Sequence, residues 1–266
     1  MISFISFLYE GKAHVGCVSG KKTYILPYRG MIECIASGFD SSGKKEITPG
    51  ARIKLSSPLI PPKIIGLGWN YAEHNKELKS ADNKPIIFLK PSTSVIGPNE
   101  AIKLPDISSQ VEHEIELGIV IGKKGKHIGP EEAQDYIAGY TMILDITARD
   151  LQWEARKKGD PWDICKGMDT FAPIGPCIVP KEYIKDPGNL FLELKVNGKT
   201  KQKSNTGDML LKPAQIVSYV SGYMTLMPGD VIASGTPEGV GPIKDGDVID
   251  SEIEEIGRMR NYAVNE

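Results

Sequence analysis

The residues with the clearest chemical potential are acids that recur along one apolar stretch of the sequence. Glu112, Glu114 and Glu116 are spaced by two, and the apolar run 119–121 follows them. Because side chains on a β-strand alternate between its two faces, this spacing predicts that the three carboxylates share one face. Neighbouring carboxylates repel each other, so a bound cation would stabilise such a strand. The alternative interpretation is an edge strand with a solvated acidic face.

A further acid follows a second apolar run. Residues 140–144 are predicted to form a strand, and Asp145 stands at its end. Acids at strand ends that face one cleft favour a hard divalent cation with oxygen ligands. The pattern therefore predicts a site for Mg²⁺ or Mn²⁺, with Ca²⁺ as an alternative, rather than for zinc or copper.

His74 and Glu77 lie three residues apart in a segment with the pattern of a short helix that begins at Asn70. Residues i and i+3 share one helix face, so the carboxylate can raise the basicity of the imidazole and fix its tautomer. Such a pair is typical of a general base that activates water. The alternative is a surface histidine on a polar helix, and the pair is indicative only together with the other candidate residues.

Two further segments have the composition of a binding site. Lys166 is followed by Gly167, and in a loop its ammonium group can stabilise an oxyanion, although a surface turn is an equal alternative. The glycine-rich segment 234–242 can present backbone N–H groups to a carboxylate. It lacks the G-x-x-x-x-G-K-[ST] pattern, so the sequence does not indicate a nucleotide site.

The elements that must position these residues are mainly short strands. Strands are predicted at 2–9, 14–18, 23–26, 64–68, 86–89, 112–121, 140–144, 190–196, 200–204, 230–234 and 248–256, and helices at 70 to about 80, 130–136 and 213–223. The Asn197-Gly198 pair predicts a tight hairpin between two of the strands. Because strands dominate without strict β-α-β alternation, the predicted fold class is mixed α/β and mostly β.

The chain is long enough for one large and one small domain. Its 266 residues include the segment Leu59-Ile60-Pro61-Pro62, which reads as a linker. We therefore predict a small β-rich N-terminal domain at residues 1–60 and a catalytic domain at residues 61–266.

Composition argues against several classes of function. The formal net charge is −2 and no run of five like charges occurs, which argues against a nucleic-acid partner. No stretch approaches the roughly 20 apolar residues that span a bilayer, and the first residues lack the features of a signal peptide. The four cysteines (Cys17, Cys34, Cys165 and Cys177) have no C-x-x-C spacing and are predicted to be reduced thiols. The expected location is the cytoplasm, without a membrane partner.

Six short motifs occur in an order that is similar to that of the fumarylacetoacetate hydrolase family. They are GWNYAEH (68–74), FLKPS (88–92), EIEL (114–117), DITARD (145–150), KGMDTF (166–171) and SGTP (234–237). The sequence from about Lys63 to its end resembles the C-terminal domain of that family. The resemblance implies a β-roll catalytic domain, usually a homodimer, that follows a small N-terminal domain.

The resemblance also implies a set of metal ligands. Glu114, Glu116 and Asp145 match the family residues that bind Mg²⁺ or Mn²⁺. Glu112 does not match the ligand pair and is left out of the predicted set. His113 stands where tyrosine is frequent, which we interpret as a difference in packing, with a further polar contact near the metal as the alternative.

Catalytic and substrate-binding residues are implied in the same way. His74 and Glu77 match the water-activating pair, on a segment that acts as a lid, and Lys166 matches the lysine that stabilises the oxyanion, with Thr170 close by. The positions that line the substrate pocket are matched by Arg149, Gln152 and Thr236. Trp69 departs from the family pattern, because many members carry arginine there, so a substrate-anion contact from this position is in doubt.

These residues predict a metal-dependent enzyme that acts on a small 2-oxo acid or 1,3-diketo acid. The first expectation is hydrolysis of a C–C bond in an acylpyruvate-like compound, in which His74 activates water, Lys166 stabilises the oxyanion and an enolate departs. The alternatives are decarboxylation or tautomerisation of oxaloacetate and isomerisation of a 2-hydroxy-dienedioate, since these reactions need the same enolate. A non-catalytic sensor of 2-oxo acids would have no need for a general base.

Overall fold

The computed structural model describes residues 1–71 and 85–266. In chain order, the strands are β1 (Ile2–Tyr9), β2 (Lys12–Ser19), β3 (Lys22–Ile25), β4 (Lys45–Glu46), β5 (Lys54–Ser56), β6 (Ile64–Gly68), β7 (Ile86–Lys90), β8 (Val95–Ile96), β9 (Ala101–Leu104), β10 (Val111–His113), β11 (Ile115–Ile121), β12 (Ile137–Leu144), β13 (Thr147–Ala148), β14 (Ala172–Pro180), β15 (Phe191–Val196), β16 (Lys199–Asn205), β17 (Val231–Ala233), β18 (Gly241–Pro242), β19 (Val248–Ile253) and β20 (Gly257–Asn265). The described α-helices are α1 (Met31–Ala36), α2 (Ala133–Tyr136), α3 (Arg149–Lys158), α4 (Asp163–Lys166) and α5 (Pro213–Tyr223). The predicted mixed, mostly-β fold class is confirmed.

One large sheet runs through the molecule. Its strand order is β4-β3-β2-β1-β14-β12-β11-β17-β6-β7, with β5 beside β1 and β8 beside β14. The N-terminal strands join the rest of the sheet where Phe4 of β1 lies opposite Ile178 of β14. The boundary near residue 60 remains a prediction, and the hydrogen-bonded sheet continues across it.

A five-stranded sheet, in the order β16-β15-β19-β20-β9, packs beside the large one. The predicted hairpin is confirmed, since β15 and β16 pair from Phe191 opposite Asn205 to Val196 opposite Lys199. Asn197 and Gly198 have φ values of 51° and 73°. Asparagine and glycine tolerate this left-handed conformation, and two such residues in succession suit the twist of a two-residue hairpin.

Strand β11 is an interior strand of the large sheet; Glu114 directly precedes it and Glu116 lies within it. All seven of its residues are buried, and it pairs with β12 on one side and β17 on the other. Strand β17 in turn pairs in parallel with β6. Because β11 is covered on both faces, the run of apolar residues fixes its register, and one acid within it is carried into the interior.

The structure corrects the predicted strand at 112–121. The chain forms β10, leaves the ladder at Glu114 and resumes as β11. Strand β10 belongs to a separate three-stranded sheet with β13 and β18. The Glu114 carbonyl still accepts a hydrogen bond from Asp145 N at 2.9 Å, opposite it on β12's side, and its side chain bonds to Arg149 and Lys166.

Several other boundaries differ from the predictions. The last predicted strand, 248–256, ends earlier, as β19 at Ile253, and a turn with Glu255 at positive φ leads into β20, which was not predicted. Strand β14 was not predicted, because Pro173, Pro176 and Pro180 argue against a strand within a sheet. The helix predicted at 130–136 is shorter and begins at Ala133. None of the helices in the described residues is long and apolar enough to cross a membrane.

Candidate active site

Three acids meet where β11 and β12 lie side by side. Glu114, Glu116 and Asp145 are buried, and each offers one carboxylate oxygen within 4.8 Å of the other two. Pairing of Ile115 with Leu144 brings the start of β11 beside the end of β12, so Asp145 lies next to the acids of β11. We call these three residues the acid cluster. The sequence pattern predicted this convergence, and the structure places the three carboxylates together.

Lys166, on the last turn of α4, lies against the acid cluster. Its Nζ donates to Glu114 Oε2 at 2.9 Å, Asp145 Oδ2 at 2.5 Å and Thr147 Oγ1 at 2.7 Å. Burial by itself lowers the pKa of Lys166, but the charges of Asp145 and Glu114 outweigh it and raise that pKa. All three ammonium hydrogens have acceptors, so a hydrogen bond to a substrate oxygen would replace one of them.

Arg149 begins α3 and connects the two acids that flank His113. Its Nε donates to Glu112 Oε2 at 2.6 Å, and its Nη2 donates to Glu114 Oε1. Nη1 donates to the side-chain oxygen of Gln152, one turn further along the helix. Glu112 is therefore buried against Arg149 and lies outside the acid cluster. The earlier inference that three glutamates share one strand face is wrong, because the ladder breaks between Glu112 and Glu116.

Lys90, at the end of β7, is a site residue to which sequence reasoning gave no role. The side chain is 1% exposed, and Nζ donates to Asp145 Oδ1 at 2.6 Å and to Ile146 O at 3.1 Å. Burial lowers its pKa, and the neighbouring Asp145 opposes that shift. Lys90 and Lys166 hold opposite oxygens of the Asp145 carboxylate, which fixes its orientation. The sequence signal was a lysine that ends an otherwise apolar strand.

Glu116 differs from the other two acids, because no lysine or arginine among the described residues lies within 4.0 Å of its carboxylate. The residue is 2% exposed, and its Oε2 accepts one hydrogen bond, from Gly235 N at 2.7 Å. Burial raises its pKa well above the ordinary range, and the charges of Asp145 and Glu114 add to that shift. A buried carboxylate without a cation is costly. The acid cluster therefore fits a divalent metal ion.

The glycine-rich loop after β17 closes over β11. Thr236 Oγ1 donates to Ile115 O at 2.9 Å and accepts from Gln202 Nε2 at 2.8 Å. Gln202, from the β15–β16 hairpin, accepts from Ile115 N at 3.1 Å and from His113 Nδ1 at 3.0 Å. This buried network supports the interpretation of His113 as a packing residue, and burial lowers the pKa of its ring against the effect of the Gln202 bond.

The pocket that contains the acid cluster is also lined by aromatic residues and a further arginine. We call this group the pocket mouth, and it consists of Trp69, Phe88, Arg156 and Trp162. The rings of Trp69 and Trp162 meet edge to face with centroids 6.2 Å apart, and Phe88 lies 5.7 Å from Trp162. Trp69 occupies the wall of the pocket where the family pattern has arginine.

The predicted site residues are largely brought together. The acid cluster lines the same pocket as Lys166, Arg149, Gln152 and Thr236. Thr170 instead accepts a hydrogen bond from Lys103 N at 2.9 Å, and the hydroxyl that contacts Lys166 belongs to Thr147. His74 and Glu77 lie in residues 72–84, outside the described residues, as does most of the predicted helix. Asn70, where that helix was predicted to begin, bonds through its side chain to Leu211 and Ser234.

Comparison with known sequences identifies relatives over most of the chain. A profile of the family described as fumarylacetoacetate (FAA) hydrolase C-terminal matches residues 63–264. An uncharacterised protein of Pyrococcus abyssi is 53% identical over 207 residues, which cover 77% of this chain and 92% of that protein. A mitochondrial oxaloacetate tautomerase of Arabidopsis thaliana is 48% identical over 192 residues, which cover 72% of this chain and 86% of the plant protein.

Solved structures share the whole fold. A fumarylacetoacetate hydrolase of Exiguobacterium antarcticum matches with a TM-score of 0.89 at 36% identity, covering 100% of both chains. A 2-hydroxyhepta-2,4-diene-1,7-dioate isomerase of Mycobacterium marinum matches at 0.84 and 33% identity, covering 100% of this chain and 99% of that one. A maleylpyruvate hydrolase of Sphingobium, solved with manganese(II) and pyruvate, matches at 0.83 and 32% identity over 99% of each chain. Proteins named as hydrolases and proteins named as isomerases therefore share this fold.

Proposed function

Because the chain belongs to the fumarylacetoacetate hydrolase family, we propose that it is a divalent-metal-dependent enzyme that forms the enol of a small 2-oxo acid. The reaction that we place first is the keto–enol tautomerisation of oxaloacetate. The observation that carries the proposal is the acid cluster, in which the buried Glu116 has no cationic side-chain partner among the described residues. A cation held there lies in the same pocket as the substrate-facing side chains.

Glu114, Glu116 and Asp145 would hold the metal ion. Their oxygen donors favour Mg²⁺ or Mn²⁺, with Ca²⁺ as an alternative. When bound, such an ion supplies positive charge that stabilises the enolate oxygen and makes the adjacent C–H more acidic. A related hydrolase was solved with manganese(II) and pyruvate, which supports a divalent metal at this type of site.

The surrounding residues would orient the substrate and move protons. Arg149 keeps Glu114 in place and, with Gln152, faces the pocket. Lys166 can exchange its bond to Thr147 for one to the substrate keto oxygen and protonate that oxygen as the C3 proton leaves. His74, oriented by Glu77, remains our candidate for the base that accepts the C3 proton.

Sequence identity supports this order of the candidate reactions. The tautomerase relative is 48% identical, whereas the hydrolase and isomerase structures above are 32–36% identical. Hydrolysis of a C–C bond in an acylpyruvate-like 1,3-diketo acid is the second candidate, supported by the maleylpyruvate hydrolase fold match and by the His74–Glu77 pair. Hydrolysis adds one water to the substrate, so it additionally needs a base that activates water.

Substrate assays with metal control test the proposal. Metal-free protein is incubated with oxaloacetate, acetylpyruvate or maleylpyruvate, with Mg²⁺, Mn²⁺ or EDTA. We expect metal-dependent approach to the keto–enol equilibrium of oxaloacetate, followed by ultraviolet absorbance. Glu116→Gln should abolish it, while Glu154→Gln, which changes an exposed acid in an ion pair with Lys158, serves as the matched control. Metal-dependent pyruvate release from a diketo acid would instead support hydrolysis, and turnover in EDTA would contradict a metal-dependent enzyme.

The assembly, location and domain boundary are proposals from the sequence. We propose a homodimer, as the family resemblance implied, that is located in the cytoplasm and has a domain boundary near residue 60. Sedimentation velocity at several concentrations tests the dimer, since a monomer at micromolar concentration would contradict it.

A further inference from the structure

One helix reaches from the acid cluster to the pocket mouth. Helix α3 carries Arg149, Gln152 and Arg156, at positions i, i+3 and i+7, and all three line the pocket. These spacings place the three side chains on one helix face. This helix face therefore presents two guanidinium groups to the pocket: that of Arg149 beside the acid cluster and that of Arg156 at the pocket mouth.

The two arginines differ in what they bind. Arg149 is 5% exposed and bonds to Glu112, Glu114 and Gln152. Arg156 is exposed, and among the described residues no carboxylate lies within ion-pair distance of it. Lys90 and Lys166, like Arg149, already have a carboxylate partner, since both form ion pairs with Asp145. Arg156 is thus a pocket-lining cation whose hydrogen-bond donors have no protein acceptor in the described part of the chain.

An aromatic wall holds the Arg156 side chain at the mouth. Its guanidinium carbon lies 5.7 Å from the centre of the Trp69 ring. Trp69 adopts φ 68°, and its ring also meets Trp162. Gly68 makes room for that wall, since a Cβ there would lie 3.1 Å from the Trp162 ring. A guanidinium that contacts a ring face through its centre keeps N–H groups at its edge available, and these can bind a carboxylate bidentately.

The direction of the helix brings Arg156 back towards the reacting centre. Seven residues of α-helix rise roughly 10 Å, but long helical side chains lean towards the N-terminus. By this rule we expect the Arg156 side chain to lean towards Gln152, which lines the same pocket and itself bonds to Arg149. A small molecule anchored at the acid cluster would present its far end to Arg156.

We infer that Arg156 determines specificity by binding the second carboxylate of a dicarboxylic 2-oxo acid. The inference rests on the proposed function and names its substrate class. The first carboxylate and the keto oxygen belong at the acid cluster, where the metal ion would bind. The second carboxylate, on the carbon beyond the keto group, then faces the one pocket-lining cation that is not already paired among the described residues.

The competing interpretation is a solvated cation near the end of a helix. Lys157 and Lys158 also lie in the last turn of α3, where the helix dipole stabilises positive charge. Neither of them lines the pocket. Lys157→Gln removes one positive charge at an adjacent exposed position, so it is a matched control for long-range electrostatics.

A pair of substrates that differ in one group tests the inference. Oxaloacetate and 2-oxobutanoate have the same 2-oxo acid end, but the first has a carboxylate where the second has a methyl group. Exchange of C3 hydrogen for deuterium, followed by NMR with Mg²⁺ and corrected for the uncatalysed rate, reports enolisation of both. Calorimetric titration of both compounds into the Mg²⁺-loaded protein reports binding without turnover.

We expect Arg156→Gln to weaken binding of oxaloacetate and raise its KM by about 10-fold or more, the usual size for a lost charged hydrogen bond. Values for 2-oxobutanoate should stay within about twofold. Arg156→Lys should restore part of the loss, and Lys157→Gln should match the wild type. Equal losses for both compounds, or no loss for either, would overturn the inference. If the wild type enolises neither compound, the proposed function fails, and the titrations still decide whether Arg156 selects the second carboxylate.

Discussion

The acid cluster and the pocket mouth are two ends of one pocket, and they hold charge in opposite ways. Around the acid cluster, Lys90 and Lys166 are buried and each contacts a carboxylate. At the mouth, Arg156 is exposed and contacts an aromatic ring. Burial makes an unpaired charge cost several kcal/mol, whereas water screens an exposed one. Substitutions around the acid cluster must therefore keep its buried charges balanced, whereas substitutions at the pocket mouth need not.

Glu116 is the buried acid of the acid cluster that has no cationic side-chain partner among the described residues. Replacing it should have the largest effect on activity. Glu116→Gln removes a proposed metal ligand, and we expect turnover with Mg²⁺ to fall by at least about 10³-fold, equivalent to several kcal/mol. The metal-free protein should be no less stable than the wild type, because the substitution removes a buried carboxylate that has no cation partner in the described structure.

Calorimetric titration with Mn²⁺ measures metal binding by the wild type and by Glu116→Gln. Thermal unfolding with and without metal measures the stability of both proteins. The wild type should gain stability on metal addition, and the variant should not. A metal-induced rise of the melting temperature that survives in Glu116→Gln would show that the acid cluster does not hold the ion.

Arg149 and Arg156 offer a direct test of the contrast between buried and exposed charge. Arg149→Gln leaves Glu112 and Glu114 buried beside a neutral group, so the free energy of unfolding should fall by about 3 kcal/mol. Arg156→Gln should change it by no more than about 0.5 kcal/mol. Urea unfolding monitored by circular dichroism measures both, and similar values for the two variants would refute the contrast.

Asp150 anchors the helix that joins the two ends, and its replacement should have a smaller effect than that of Arg149. Partial burial raises its pKa, but hydrogen bonds from Ser108, Ser109 and Leu151 outweigh that effect and hold the pKa below the ordinary value. We expect Asp150→Asn to lower the free energy of unfolding by about 1 kcal/mol at neutral pH.

The pH dependence of that loss has a defined sign. A carboxyl group with a depressed native pKa stabilises the fold above its ordinary pKa of about 3.9, and the contribution disappears as the pH falls through the lower native value. The difference between wild type and Asp150→Asn should therefore shrink below about pH 4. Urea unfolding at pH 7, 5 and 3.5 measures it, and a difference that grows in acid would contradict the assignment.

Local patterns predicted much of the fold, and long-range packing accounts for most of the failures. The hairpin at Asn197 and the helix Pro213–Tyr223 were predicted correctly, because turn chemistry and helical periodicity are local. Strand β14 was missed, because prolines argue against a strand. Its place in the sheet is set by pairing with β1 and β12, which no local signal reports.

The candidate site was likewise predicted where local patterns sufficed and missed where long-range packing decides. Alternation along one strand and an acid at the end of the next predicted that Glu116 and Asp145 would meet. The role of Lys90 was not predictable, because only the folded chain shows that its ammonium group is buried against Asp145. The interruption at Glu114 was missed for a similar reason, since β10 pairs with β13 and β18 in a separate sheet, which no local signal reports. The catalytic roles of these residues remain predictions.

Helix α3 has a consequence for how new enzymes can arise from this fold. Its first turn contacts Glu114 of the acid cluster through Arg149, and its third turn reaches the pocket mouth through Arg156. A gene duplicate can therefore change residue 156 and its aromatic neighbours and acquire another substrate, while the inherited reaction centre is preserved. Directed-evolution libraries for altered substrate range are best confined to that outer turn and to Trp69.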